Sequence, residues 1–130
     1  METSANEQTP LRVLVADDEE DIRSLLADVI EREPTLELVG VAEDTDEAIA
    51  LVQKVDPDVA VLDWMMPGGG GARAAQAIKD QGLQARVVAI TAGDPSVAAY
   101  EMMSAGAVAF LEKGCTPAEI VDAIKAAVRW

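Results

Sequence analysis

Five short apolar runs alternate with five segments in which apolar residues recur every three or four positions. The runs are Arg12 to Ala16, Leu36 to Val41, Val59 to Leu62 ending at Asp63, Arg86 to Ile90 ending at Thr91, and Val108 to Leu111. The first, third and fourth are apolar without alternation, which predicts strands buried on both faces, as in a parallel sheet. Between them the helical period is clear. Ile22, Leu25, Leu26, Val29 and Ile30 share one face of a helix from about Asp21 that Pro34 closes. Ala48, Leu51, Val52 and Val55 line a second helix from Thr45, and Asp56-Pro57 turns the chain out of it. Gly68 to Gly71 predicts a mobile loop ahead of an alanine-rich third helix. Asp94-Pro95 offers a cap and a first-turn proline to a fourth helix, in which Met102 and Met103 are expected to pack. Thr116-Pro117-Ala118-Glu119 is a capping box that opens a fifth helix, with Ile120, Val121, Ile124 and Val128 inward.

Strands alternating with helices imply right-handed βαβ units. The expected class is α/β: a doubly wound five-stranded parallel sheet of flavodoxin-like order 2-1-3-4-5, with five helices on both faces. A single domain is expected over residues 11–130, behind a flexible polar tail over 1–10.

Composition narrows the chemistry. The net charge of −14 over 130 residues argues against binding nucleic acid through a basic surface, and against docking on an anionic membrane. The first ten residues lack the basic start and apolar stretch of a targeting signal. The longest apolar run, Ala105 to Leu111, is far too short to span a bilayer. Cys115 is the only cysteine, so a reducing, cytoplasmic setting is expected. The chain has no histidine, which removes Ser-His-Asp and Cys-His nucleophiles and His-ligated zinc.

The polar residues that interrupt the pattern share an address. Asp17 and Asp18 follow strand one, Asp63 ends strand three, Thr91 ends strand four and Lys113 follows strand five. Sites in open α/β sheets form at the carboxyl ends of strands, so these five residues should converge in one cleft. Three clustered carboxylates repel one another, and one lysine cannot neutralise them. A hard divalent cation with oxygen ligands, Mg²⁺, can. A carboxylate can also act as a nucleophile towards phosphorus, in a transfer that needs positioning and charge neutralisation above all.

With these strings in view the chain resembles the receiver domains of two-component response regulators, from Leu11 to Arg129. The matching strings are Val13-Leu14-Val15-Ala16-Asp17-Asp18-Glu19, Leu62-Asp63-Trp64-Met65-Met66-Pro67 with Gly71, Ile90-Thr91-Ala92, and Phe110-Leu111-Glu112-Lys113. The resemblance implies that Asp63 is the phosphoacceptor, and that Asp18 and Asp63 ligate Mg²⁺ directly, Asp17 through water and Met65 through its backbone carbonyl. It implies that Thr91 and Lys113, with the backbone N–H groups of Met65 and Ala92, bind the phosphoryl oxygens, and that Thr91 and Phe110 form the switch. The partners it implies are a histidine kinase or a phosphotransfer protein, with the face of helix four, strand five and helix five available for a homodimer. Such a domain is a phosphoacceptor that catalyses its own phosphorylation and dephosphorylation rather than an enzyme acting on others. Gly114 stands where many receivers have proline, and the glycine run lacks the acidic residue often found before Gly71. The run from Glu33 to Gly40 resembles regulators that carry a C-terminal helix-turn-helix output domain.

Rival functions are disfavoured by single positions. No Gly-Lys-Ser/Thr follows the glycines, against a phosphate loop. The acidic stretch from Asp17 to Asp21 would repel the phosphate of a flavin nucleotide. Met65 occupies the place, two after Asp63, where aspartate-nucleophile phosphatases carry a second aspartate. The alternative function is a degenerate receiver that serves only as a protein-docking module.

Overall fold

The computed structural model describes residues 9–92 and 95–129. The expected tail therefore lies almost wholly outside the described residues, and so does Asp94, the expected cap of the fourth helix. The elements are β1 (Leu11–Ala16), α1 (Glu20–Glu31), β2 (Leu36–Ala42), α2 (Thr45–Val55), β3 (Val59–Asp63), α3 (Gly70–Asp80), β4 (Arg86–Thr91), α4 (Pro95–Ser104), β5 (Ala109–Glu112) and α5 (Pro117–Ala127). The strands pair in parallel in the order β2-β1-β3-β4-β5, as the sequence pattern implies.

Strand alternation sorts the core into two layers. Val13, Val15, Val59, Val61, Val88 and Ile90 face α1 and α5, where they meet Leu26, Val29, Ile30, Ile120 and Ile124. Leu14, Ala16, Ala60, Leu62, Val87 and Ala89 share the other layer with residues of α2, α3 and α4, including Ala48, Ala74, Ile78 and Met102. The layers differ in texture: ten of the seventeen buried residues in the second are alanine, against one of fourteen in the first. Leu26, Ile30, Ile120 and Ile124 are essentially inaccessible to solvent. Each contributes about 1.5–3 kcal/mol by leaving water.

Helix ends follow their local chemistry. The Asp44 side chain accepts from the Glu47 N–H at 2.8 Å, and α2 stops at Asp56, a non-glycine residue in the left-handed region. Thr116 and Glu119 form both bonds of the expected capping box.

Some expectations need correction. Leu25 is 43% exposed, because the buried stripe of α1 is only Leu26, Val29 and Ile30 wide and Leu25 falls at its edge. Val128 lies beyond the last turn of α5 and is 36% exposed, while Ala127 takes the inward place. Met102 is buried, but Met103, about 100° further round α4, is 47% exposed. Strand β5 starts at Ala109, although the Val108 N–H still bonds to the Val87 carbonyl at 2.8 Å.

The glycine run is the main difference. Gly70 and Gly71 are not loop but the buried first turn of α3. A Cβ on Gly71 would stand 2.3 Å from the Asp63 carbonyl oxygen, so only glycine lets α3 abut the end of β3. Gly82 has a left-handed φ of +68° but open space around it. Among the described residues no helix is long and apolar enough to cross a membrane.

These two glycines should respond differently to alanine. Gly71→Ala forces backbone to move and should cost about 1–3 kcal/mol from overpacking, or more if α3 is displaced. Gly82→Ala adds only conformational strain, about 1–2 kcal/mol. Urea unfolding of both variants checks this, and a Gly71→Ala protein as stable as the parent would refute the close approach.

Candidate functional site

Four polar side chains are buried among the described residues, Asp17, Thr45, Asp63 and Thr91, and each lies at or just beyond the carboxyl end of a strand. Parallel register brings them together. Ala16 pairs with Leu62, so Asp17 and Asp63, each one residue on, are neighbours. Asp63 pairs with Ile90 and Thr91 with Glu112, which sets Thr91 and Lys113 along the same rim. The Lys113 N–H donates to the Thr91 carbonyl at 2.7 Å and extends that pairing past the strand.

Asp17, Asp18 and Asp63 each present an oxygen within 4.8 Å of the others. Asp17 and Asp63 are buried, whereas Asp18 is exposed at the mouth. Lys113 reaches in between them. Its Nζ lies 3.1 Å from Asp17 Oδ2 and 3.2 Å from Asp63 Oδ2, and it also donates to Glu19 Oε1. Asp17 is anchored on every side: its N–H donates to the Ala42 carbonyl, its Oδ1 accepts from the Glu19 N–H at 2.8 Å, and its carbonyl accepts from Arg23. Its Oδ2 nevertheless has no donor in hydrogen-bonding geometry, although the Lys113 ammonium is within ion-pair distance. The charge contact offsets part of the cost of burying this oxygen, since ionic attraction does not require hydrogen-bonding geometry. Asp63 Oδ1 accepts a long bond of 3.3 Å from the Met65 N–H, and Thr91 Oγ1 donates to the Ala92 carbonyl at 3.2 Å.

The electrostatics follow from this crowding. Burial, then the charge of Asp17, push Asp63 from the ordinary 3.8 up to about 7, against the opposing pull of Lys113. For Lys113 burial acts downward, but the bond to Glu19 and the charges of Asp63 and Asp17 outweigh it and hold the ammonium above the usual lysine range.

A family model for the response regulator receiver domain matches residues 13–125. The chain belongs to the response regulator receiver domain family. It is 35% identical over 117 residues to the transcriptional regulatory protein LiaR of Bacillus subtilis, covering 90% of this chain and 56% of that protein. It is 32% identical over 123 residues to the nitrate/nitrite response regulator NarP of Escherichia coli, covering 95% and 57%. The chain thus spans about half the length of the curated relatives it matches. Among solved structures, the signal receiver domain of NarL from Mycobacterium tuberculosis superposes with a TM-score of 0.90 at 34% identity, over 94% of this chain and 98% of that one.

In this receiver domain the donor set fits a hard cation. Asp17 Oδ2 is a buried acceptor without a donor, and three carboxylates face one internal ammonium. Oxygen-only ligands of that charge suit Mg²⁺. Met65 has an exposed side chain, but its backbone borders the cluster through the bond to Asp63. Phe110 is partly buried and packs with the layer that holds α3 and α4. Cys115 sits apart, and burial, then the charge of Glu119, raise its thiol, which disfavours the reactive thiolate.

Three contacts escape a reading of the sequence. Glu19 shares Lys113 with the buried aspartates. Trp64, next to Asp63, donates from Nε1 to Glu101 Oε1 of α4 at 2.8 Å. Thr45, which the sequence marks only as a helix start, accepts from the Gly70 N–H. An acid beside Asp17-Asp18 could have flagged the first, whereas the other two depend on tertiary placement.

The raised Asp63 fixes the direction of a pH effect. The folded state holds this proton more tightly than the unfolded state, so its stabilising contribution is full below about pH 4 and is lost as the pH rises through about 7. With EDTA present, Asp63→Asn should remove that decline and melt above the parent at pH 8. Thermal melts across pH 4–8 check this, and parallel curves for the two proteins would refute a strained carboxylate.

Proposed function

We propose that this receiver domain accepts a phosphoryl group on Asp63 in a Mg²⁺-dependent reaction, with a phosphohistidine of a histidine kinase or phosphotransfer protein, or a small phosphodonor, as the source. The observation that carries it is the buried Asp63 carboxylate at the end of β3, flanked by two further acids and reached by Lys113. Phosphoryl transfer asks for positioning and neutralised charge, and the rim placement of Asp63, with Lys113 beside it and acids able to hold a cation, supports this reading.

A carboxylate oxygen of Asp63 attacks phosphorus. The new P–O bond forms as the P–N bond to the donor imidazole breaks, and the departing nitrogen keeps the electron pair and takes up a proton. Asp18 and Asp63 would hold Mg²⁺ directly, Asp17 through water and Met65 through its carbonyl. Bound there, the ion neutralises carboxylate and phosphoryl oxygens that Lys113 alone cannot. Lys113 exchanges its contact with Asp63 for a phosphoryl oxygen, and the N–H groups of Met65 and Ala92 donate to the others. Hydrolysis reverses the charge change: water attacks phosphorus, the acyl phosphate P–O bond breaks, and inorganic phosphate leaves the carboxylate behind. The domain is in this sense its own catalyst and not an enzyme for other substrates.

The switch runs through Thr91 and Phe110. A phosphoryl group adds nearly two negative charges and new acceptors beside Thr91, whose hydroxyl now serves the Ala92 carbonyl. A hydroxyl drawn to the phosphoryl vacates space towards β5, where Phe110 pairs with Ala89, two residues before Thr91. The readout face of α4, β5 and α5 carries exposed Val97, Tyr100 and Met103, which suit a homodimer or a protein partner. A cytoplasmic setting and a receiver domain over residues 11–130 complete the proposal. Nucleic-acid contact by this domain is disfavoured by the chain's charge of −14.

Two experiments test it. Incubation with a small phosphodonor and Mg²⁺ should add one phosphoryl group that peptide mapping places on Asp63, and Asp63→Asn should fold yet stay unmodified. A phosphorylated Asp63→Asn would refute the assignment to Asp63, and an unmodified parent would favour the docking-module alternative. Thr91→Ala should retain phosphorylation but blunt the amide NMR shifts from Ala105 to Leu111. Full shifts in that variant would remove Thr91 from the switch.

A further inference from the structure

Among the described residues, Thr45 is the one buried polar side chain at the rim of the sheet that the phosphoryl chemistry leaves without a task. It opens α2 and bonds to the β3–α3 loop. Its N–H donates to the Pro67 carbonyl at 3.0 Å, and its Oγ1 accepts from the Gly70 N–H at 2.9 Å. Arg73 adds a second tie, with Nη1 donating at 2.8 Å both to the Gly68 carbonyl and to Asp46 Oδ1 on the same first turn of α2. The Gly71 N–H closes the loop from inside by bonding to the Trp64 carbonyl at 3.0 Å.

These ties matter because of what they hold. Gly68, Gly69 and Gly70 all adopt positive φ, and three successive glycines give a backbone with the most freedom to lose on ordering. Left to itself such a loop would be slack. The same loop carries Met65, whose N–H reaches Asp63 Oδ1 and whose carbonyl belongs to the proposed metal site. At the β3 end Trp64 is bonded to β4 and α4, whereas the glycine end is held by bonds to α2 and by the start of α3.

We infer that Thr45, with Arg73 in support, is a positioning residue that clamps the β3–α3 loop to α2 and thereby sets the Met65 backbone groups for metal binding at Asp63. The inference rests on the function proposed above. Backbone ligands bind well only when they need not be ordered at the moment of binding, and supports behind a ligand set affinity for that reason. Thr45→Val keeps the shape of the side chain but leaves the Gly70 N–H without its acceptor. Thr45→Ser keeps the hydroxyl.

The test is a Mg²⁺ titration of the full chain followed by amide NMR, beside thermal melts in EDTA. Thr45→Val should raise the Mg²⁺ Kd about tenfold, Thr45→Ser should restore it, and Arg73→Gln should raise it by a smaller factor. Gly70 amide exchange should quicken in Thr45→Val while the β3 amides stay protected. A lower melting temperature with an unchanged Kd would make Thr45 merely structural and overturn the inference. Should Thr45→Val not fold, Arg73→Gln decides, since Arg73 is exposed and its loss spares the core: an unchanged Kd there overturns the clamp. A parent protein without saturable Mg²⁺ shifts would instead refute the metal site itself.

Discussion

Two carboxylates withdrawn from water, with one ammonium between them, set the terms for this molecule. Asp17 and Asp63 are both buried, and Lys113 lies within about 3 Å of each. Buried charges persist only where a partner offsets their lost hydration, and one lysine shared among Asp17, Asp63 and Glu19 offsets it incompletely. The fold must therefore hold like charges together against their repulsion. It does so with backbone: the β1–β3 and β3–β4 registers, the bond from Lys113 to the Thr91 carbonyl, and the bonds that fix Asp17 on both sides. What results is a centre with an excess of negative charge.

The sequence announced most of this because its signals were local and mutually consistent. The strands are apolar runs of the right length, and the fifth helix carries its own capping box. Asp17, Asp18, Asp63, Thr91 and Lys113 could be placed because a parallel sheet leaves one rim for them all, so strand ends alone gave their meeting point. The misjudged positions lie where a three-dimensional neighbour decides. Leu25 and Val128 fit the helical period, yet the period does not say how wide a stripe the neighbouring elements cover. Gly70 and Gly71 looked like loop because glycine is a poor helix former, but close approach to the Trp64 and Asp63 carbonyls excludes any side chain there. Thr45 and Glu101 gave no signal, since a threonine at a helix start and a glutamate on a helix surface are ordinary in themselves.

The environment of Trp64 shows how tightly the acidic centre is tied to its surroundings. Its backbone N–H bonds to the Ile90 carbonyl, its carbonyl receives the Gly71 N–H, and its indole reaches Glu101 on α4. The residue directly after Asp63 thus touches β4, α3 and α4 at once.

The uneven texture of the two core layers has a mechanical meaning. On the α1 and α5 side, branched side chains mesh like teeth, and a helix there cannot slide without lifting out of register. On the α2, α3 and α4 side the sheet and the helices meet largely through alanines, whose methyl groups form a shallow, nearly smooth contact. A methyl offers fewer atoms to interlock than a branched side chain, so the two faces of the sheet grip their helices unequally.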